Sequence, residues 1–104
     1  LSRMHKRYHQ KRDAVIDCIR RSALAAEITE QDAGLHFLVR LDTNMSDEEL
    51  RRRAAESGLR LALLSDYYAD PTAAPHHVLV VNYAGLELEH LPEALERLGK
   101  IIKE

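Results

Sequence analysis

The sequence predicts an α/β fold of the two-layer α+β kind, with helices on one face of a mostly antiparallel sheet of three or four strands. Two patterns support this prediction. Apolar residues recur at helical spacing in three stretches, and in the segments between them apolar residues alternate with others. Because 104 residues make one domain of ordinary size, we expect residues 1–104 to form a single domain.

The first part of the chain predicts a long helix. Residues 2–22 contain no proline or glycine, and Met4, Tyr8, Val15 and Ile19 recur along them at helical spacing. Residues 1–21 carry seven Lys/Arg and two Asp, whereas the whole chain has a net charge of −2. No stacking aromatic other than Tyr8 accompanies these cations, so we interpret them as a solvated helix face rather than a nucleic-acid surface.

Two strands and a capped helix are predicted next. A short strand over 25–28 and a strand over 35–41 flank a turn at 31–34, where glycine follows polar residues. Ser46 and Glu49 have the spacing of a capping box, which starts a helix over about 47–57. Gly58 is a suitable residue to end that helix.

The second half of the chain predicts two more strands and a final helix. Residues 59–64 alternate leucine with other residues, and 78–83 are almost continuously apolar. A long loop over 65–77 joins these two strands. The final helix covers about 88–102, with Pro92 in its first turn and an apolar stripe that consists of Leu88, Leu91, Leu95, Leu98 and Ile102.

Several kinds of site find no support in the residues. Cys18 is the sole cysteine, which excludes an intrachain disulfide and a multi-cysteine zinc site. His5 and His9 share a helix face but lack the glutamate of a zinc-protease helix, and we expect no metal there or at His76 and His77. The apolar runs are far too short to span a membrane.

Catalytic motifs are also missing from the sequence. No carboxylate pair is placed in a predicted cleft, no serine lies in a nucleophile elbow, and the four glycines form no phosphate loop. Cys18 lies near the apolar stripe of the first helix, and we expect a half-buried, inert thiol. We therefore expect no catalysis by this chain alone.

A set of motifs in a fixed order nevertheless resembles one known family. The chain is similar to the C-terminal small domain of fold-type-I pyridoxal-phosphate aminotransferases, and most similar to the MocR-type branch of the GntR transcription regulators. The motifs, in chain order, are Met4…Tyr8…Arg12-Asp13, Ala33-Gly34-Leu35-His36, Gly58-Leu59-Arg60-Leu61, Ser65-Asp66-Tyr67-Tyr68 and Val81-Asn82-Tyr83-Ala84-Gly85-Leu86.

This resemblance implies a longer parent protein, as does a first residue, Leu1, that is not methionine. In the family, the residues that hold pyridoxal 5'-phosphate belong to a large domain, so we expect this chain alone to bind no cofactor. The family's small domain usually supplies an arginine for the substrate carboxylate shortly before an aromatic-Ala pair. Matching that pair to Tyr83-Ala84 puts Val80 in the arginine's place, and an apolar side chain cannot replace a guanidinium clamp.

Strand parity indicates which residues of this small domain face the ligand cleft. Phe37, Leu61 and Val81 should meet the helices, and the opposite face should turn towards the large domain. That opposite face holds His36, Arg40, Arg60, Val80 and Asn82. We expect His36 near the ligand and Tyr67 and Tyr68 at the cleft entrance.

We therefore expect the C-terminal part of the effector domain of a MocR-type regulator. The implied partners are the large domain of the same chain, DNA through an N-terminal winged helix, and a second copy in a homodimer. The parent would be cytoplasmic. Two alternatives stay open: the small domain of a genuine aminotransferase, and a free-standing ligand-binding or interaction module.

Overall fold

A computed structural model describes the backbone of residues 2–33 and 36–103, and the side chains of 9–29 and 36–103. Within these residues the helices are α1 (Ser2–Arg21), α2 (Asp47–Glu56) and α3 (Leu91–Lys103). The strands are β1 (Ala26–Ala33), β2 (His36–Leu41) and β3 (Val78–Val81), and they form one antiparallel sheet in the order β1-β2-β3. The predicted fold class is confirmed.

The core lies between the sheet and the three helices. Phe37, Val39 and Leu41 alternate along β2 and are buried, as the strand pattern predicts. The ring of Phe37 stacks on that of the buried Tyr83, with centroids 6.0 Å apart. The helices contribute buried side chains to the same cluster, among them Val15, Ile19, Leu50, Leu95 and Leu98.

Helix α1 packs on the core through its apolar stripe, and a polar contact links it to the turn after β3. Val15 and Ile19 are buried and Cys18 is half-buried, as predicted, whereas the side chains of Met4, Tyr8 and His5 lie outside the described residues. The ammonium of Lys11 donates to the carbonyl of Ala84, at 3.0 Å. This hydrogen bond ties α1 to the turn that follows β3.

Strand β1 is longer than the sequence predicts. It continues to Ala33, through residues that were expected to form a turn, because Ala33 pairs with His36 of β2. The pairing has register shifts between Ile28 and Glu30 and between Glu30 and Ala33. The rest of the predicted turn and the start of the predicted second strand, Gly34 and Leu35, lie outside the described residues.

Helix α2 begins and ends at the predicted signals. The Ser46 hydroxyl accepts from the Glu49 amide, at 3.1 Å. At the other end Gly58 adopts φ +77°, while the amide of Leu59 donates to the carbonyl of Ala54 and the amide of Gly58 to that of Ala55. These two bonds form a Schellman motif, which explains why glycine is needed here.

The predicted strand over 59–64 is wrong. Leu63 forms an isolated bridge with Leu79, and the Val80 amide donates to the Ala62 carbonyl at 2.8 Å. The Leu63 amide donates to the carboxylate of Asp66, at 3.1 Å, and this bond holds the turn that follows. The chain then turns into a short 3-10 helix, Leu64–Tyr67, and leaves the sheet.

The elements on either side of the last loop are shorter than predicted. Strand β3 ends at Val81, since Tyr83–Gly85 forms a 3-10 turn. Helix α3 begins at Leu91 rather than Leu88, because Leu88–His90 is a separate 3-10 turn that leaves Leu88 exposed. Pro92 falls in the first turn of α3, as predicted. Among the described residues no helix combines the length and apolar character needed to cross a membrane.

Replacing Gly58 with alanine is expected to destabilise the fold by about 1 kcal/mol, because a β-carbon is strained at positive φ. Urea unfolding monitored by circular dichroism measures the free energy. Gly99→Ala is the matched control: it lies within α3 with open space around its Cβ position, so it should stabilise by up to about 1 kcal/mol. Equal effects of both substitutions would contradict the assigned helix end.

Candidate functional site

One side of the sheet is left without helices, and we call it the open face: His36, Leu38 and Arg40 of β2, and Val80 of β3. His36 and Arg40 are exposed and Leu38 is half-buried, in alternation with the buried residues of β2. Leu38 pairs with Val80, so Val80 lies on the open face beside it. This agrees with the side that strand parity predicts for these residues.

Arg40, the arginine of the open face, is paired with a carboxylate of the neighbouring strand. Arg40 lies opposite Glu27 of β1, and its Nη2 is 2.5 Å from the Glu27 carboxylate. Val78, which pairs with Arg40 from the other side, is buried rather than exposed. Val80 itself offers no charge, so the open face has no cation at the position where the family resemblance implies one.

The loop from residue 64 to residue 77, which we call the tyrosine loop, carries the two predicted tyrosines. Tyr67 and Tyr68 are 68% and 42% exposed, so their rings do not anchor the loop. The loop contains two 3-10 turns, Leu64–Tyr67 and Pro71–Ala73. It is held in place by polar contacts that the sequence did not predict.

The central contact of the tyrosine loop is the buried carboxylate of Asp47, the first residue of α2. One of its oxygens accepts from the Ser65 hydroxyl at 2.7 Å, and the other accepts from the His77 amide at 2.8 Å. Asp47 is 8% exposed and Ser65 is 3% exposed. A carboxylate this buried is stable because both oxygens accept hydrogen bonds and the helix N-terminus favours negative charge.

His77 has an unusual backbone that follows from the same contact. Its φ is +66°, in the left-handed region that residues with a side chain rarely adopt. In this conformation its amide reaches Asp47 while its carbonyl accepts from the Leu41 amide at 2.7 Å. The two hydrogen bonds offset the strain and fix the loop to the end of β2.

Arginine also holds the first turn of the loop. Arg51 lies 2.6 Å from the Asp66 carboxylate, and the same carboxylate caps the Leu63 amide. The charge of Arg51 therefore positions Asp66, the residue before Tyr67. In the second turn, a hydrogen bond from the Thr72 hydroxyl, reinforced by its amide, lowers the pKa of Asp70 below its ordinary value of 3.8. The ionised Asp70 carboxylate therefore stabilises that turn at neutral pH, and this stabilisation is lost as the pH falls through its lowered pKa.

The structure does not bring His36 and the two tyrosines to one place. Leu63 lies opposite Leu79, and the chain continues from there towards the Val78 end of β3. His36 lies at the other end, since Phe37 pairs with Val81 and the next position along β3 is Asn82. The two ends are about 10 Å apart at 3.3 Å per residue.

His76 and His77 belong to no group of potential metal ligands among the described residues. The rings of His76 and His77 are 6.1 Å apart and nearly perpendicular. Among the described residues, Glu87, Glu89 and His90 come close to one another, but all three are exposed. His90 lies 3.3 Å from Glu87, an ordinary surface contact that needs no metal to explain it.

The described lysines do not fit a pyridoxal phosphate site. Lys11 donates to a backbone carbonyl, and Lys100 lies on the surface 3.4 Å from Glu96. Lys103 is exposed on the last turn of α3. None of them lies in a pocket with a carboxylate and an aromatic ring, so we derive no chemical step through this cofactor.

Comparisons with known proteins agree on the fold. No family model matches the chain. The α-aminoadipate aminotransferase LysN from Thermus thermophilus, solved with N-(5'-phosphopyridoxyl)-L-leucine, matches 98% of this chain with a TM-score of 0.75 and 24% identity. The methionine aminotransferase YbdL from Escherichia coli matches 91% with a TM-score of 0.67 and 28% identity. This chain spans 26% and 24% of those two chains. It therefore has the fold of one part of these aminotransferases, as the resemblance predicted.

A curated relative is a transcription regulator. The chain is 30% identical over 99 residues to an uncharacterised HTH-type transcriptional regulator, YhdI, from Bacillus subtilis. The match covers 94% of this chain and 21% of the regulator, so the chain spans about a fifth of that protein's length. The chain is thus an aminotransferase-like domain with a likeness to a transcription regulator, which confirms the resemblance stated from its motifs.

Asp47→Ala is expected to destabilise the chain by about 3 kcal/mol, because it leaves the buried Ser65 hydroxyl and the His77 amide without their acceptor. Urea unfolding gives the free energy, and hydrogen exchange of the amides of residues 65–77 shows where the change falls. Glu48→Ala is the matched control, since Glu48 is an exposed carboxylate in the same helical turn. A loss no larger than that of Glu48→Ala would show that Asp47 does not hold the loop.

Proposed function

We propose that this chain is the C-terminal part of the aminotransferase-like, pyridoxal-phosphate-dependent effector domain of a GntR/MocR-type transcription regulator. The observation that carries the proposal is the match of 94% of the chain to a helix-turn-helix regulator, in a chain with an aminotransferase fold. Most of that regulator lies outside the matched segment, which leaves room for a DNA-binding domain and a large cofactor domain. DNA would bind through the N-terminal domain and not through this chain.

The open face would turn towards the large domain and close over the ligand. It is the one side of the sheet that the described helices leave uncovered, and its two half-buried apolar residues, Leu38 and Val80, gain cover from a neighbouring domain. The cofactor would be held by the large domain, because the described lysines do not fit it. The parent would be a homodimer and would lie in the cytoplasm, where a regulator binds DNA.

His36, Tyr67 and Tyr68 would contact the ligand or the mouth of its cleft from two ends of this face. His36 is exposed at the start of β2. The tyrosines extend from a loop that Asp47 and Arg51 hold in one position, so their backbone is ordered before any ligand arrives. A loop fixed in advance costs less ordering entropy when a ligand binds.

Val80 favours regulation over turnover. An aminotransferase holds its substrate carboxylate so that the Cα–H bond stands perpendicular to the cofactor ring, and a paired guanidinium does this well. Val80 provides no hydrogen bond, and the nearest arginine on β2, Arg40, is paired with Glu27. The parent would therefore bind a ligand and close without fast transamination, and closure between domains would carry the signal.

A second candidate is the small domain of a genuine aminotransferase, and the 28% identity to the methionine aminotransferase YbdL favours it. The two candidates differ in DNA binding and in turnover. If the parent is a regulator, it binds a DNA fragment from upstream of its own gene in a mobility-shift assay and converts amino acids slowly. If the parent is an aminotransferase, it converts amino acids fast and does not shift the DNA fragment.

We expect Val80→Arg to speed the conversion of bound cofactor to its amine form when the full-length parent is mixed with common α-amino acids. The added guanidinium supplies the carboxylate contact that Val80 lacks. Single-turnover absorbance of the cofactor measures the rate, and an increase of about tenfold or more is expected from one charge-assisted hydrogen bond.

Val80→Leu is the matched control, because it keeps the position apolar and should leave the rate unchanged. Fast conversion by the unmodified parent would mean that another group holds the carboxylate, and the regulatory proposal would lose its argument from this residue. When the isolated chain is treated with pyridoxal phosphate and borohydride, we expect no lysine to form a trapped adduct that saturates with cofactor concentration.

A further inference from the structure

The structure leaves a cavity of about 280 Å³ where the predicted strand over 59–64 fails to pair. The hydrogen bond from Val80 to Ala62 is the last one between β3 and this segment, and the ladder goes no further towards residue 59. Leu61 lines the cavity from one side, Val81 from the other, and Leu95 from α3. The cavity thus lies where residues 59–61 run beside β3 without a further backbone hydrogen bond among the described residues.

The lining of this cavity is apolar except at two positions. Among the described residues that line it, the polar side chains are those of Arg60 and Asn82. Leu59 and Leu61 pack against the hydrophobic core but are themselves only half-buried. Apolar side chains that line open space leave room for an apolar occupant.

Arg60 carries a charge that no described residue neutralises. Its neighbours are paired: Arg51 lies 2.6 Å from Asp66, and Arg97 lies 2.8 Å from Glu93. Arg97 is close by, since its guanidinium donates to the Ser57 carbonyl at 2.9 Å. Arg60 is exposed, and within the described part of the chain it has no carboxylate partner. An anion at the mouth of the cavity would find this charge available.

We propose that the cavity binds a small amphipathic carboxylate, with its apolar tail between Leu61, Val81 and Leu95 and its carboxylate on Arg60. The side-chain amide of Asn82 offers a second donor. Since an apolar cavity of about 150 Å³ holds benzene, this one has room for about ten non-hydrogen atoms. Medium-chain and aryl-substituted carboxylic acids have this size and charge. The proposal does not depend on the regulatory function.

The test titrates the full-length parent with hexanoate in a calorimeter, with hexanamide as the uncharged probe of the same shape. We expect hexanoate to bind and hexanamide to bind about tenfold more weakly or not at all, because the amide cannot pair with Arg60. Arg60→Gln should weaken hexanoate to the level of hexanamide. Arg20→Gln is the matched control, because it removes an exposed arginine of α1 that is distant in sequence from Arg60. It should leave the affinities for hexanoate and hexanamide unchanged.

A second pair of variants separates this cavity from any other carboxylate site of the parent. Ala94 lines the cavity from α3 and is half-buried, so Ala94→Leu and Ala94→Phe fill it to two different extents. Both should abolish binding of hexanoate while circular dichroism shows an unchanged fold. If Ala94→Phe does not fold, Ala94→Leu alone decides.

Three results would overturn the proposal. The first is no measurable binding of hexanoate by the parent, as expected if another segment of the parent fills the cavity. The second is equal affinity for hexanoate and hexanamide. The third is hexanoate binding that survives Ala94→Leu, which would place the acid elsewhere in the protein.

Discussion

The buried carboxylate of Asp47 is the contact on which the arrangement of the sheet, α2 and the tyrosine loop depends. It accepts from a hydroxyl 18 residues away and from an amide 30 residues away, so one side chain joins three distant segments. Because the His77 carbonyl also accepts from Leu41, the carboxylate fixes the end of β2 as well. The loop and the sheet are therefore expected to move together when this part of the protein moves.

The edge of the sheet next to β3 is also shaped by a polar contact of this loop. Asp66 accepts from the Leu63 amide and is itself held by Arg51, and the chain leaves β3 at this turn. The turn presents Tyr67 and Tyr68 to solvent. The cavity beneath α3 lies on the other side of the bridge, where residues 59–61 line open space.

The parts of the fold that the sequence predicts are those with local causes. Ser46 and Gly58 bound α2 through hydrogen bonds within a few residues, and the alternation along β2 follows from its own side chains. The segment 59–64 alternates just as clearly, yet it meets β3 only at the bridge between Leu63 and Leu79 and at the hydrogen bond from Val80 to Ala62, among the described residues. A strand needs a partner along its length, and alternation within one segment does not show whether that partner is present.

The sequence predicts the face of the sheet on which His36 and Val80 lie. Strand parity correctly assigns His36 and Val80 to the uncovered side. Their separation from the tyrosines depends on where Leu63 meets β3, and the role of Asp47 depends on His77 adopting a positive φ. Acidic residues in the first turn of a helix, such as Asp47, Glu48 and Glu49, ordinarily face solvent and interact with the helix dipole. Nothing local to Asp47 therefore indicated that its oxygens reach the loop.

We propose that the open face of the sheet turns towards the rest of the parent protein. Thiol labelling tests this directly in a Cys18→Ser background, with His36→Cys on the open face and Glu93→Cys on the exposed side of α3. A maleimide should modify both thiols quickly in the isolated chain. In the full-length parent, it should modify the thiol of His36→Cys much more slowly, while that of Glu93→Cys reacts as before. Equal rates at the two positions in the parent would contradict the claim.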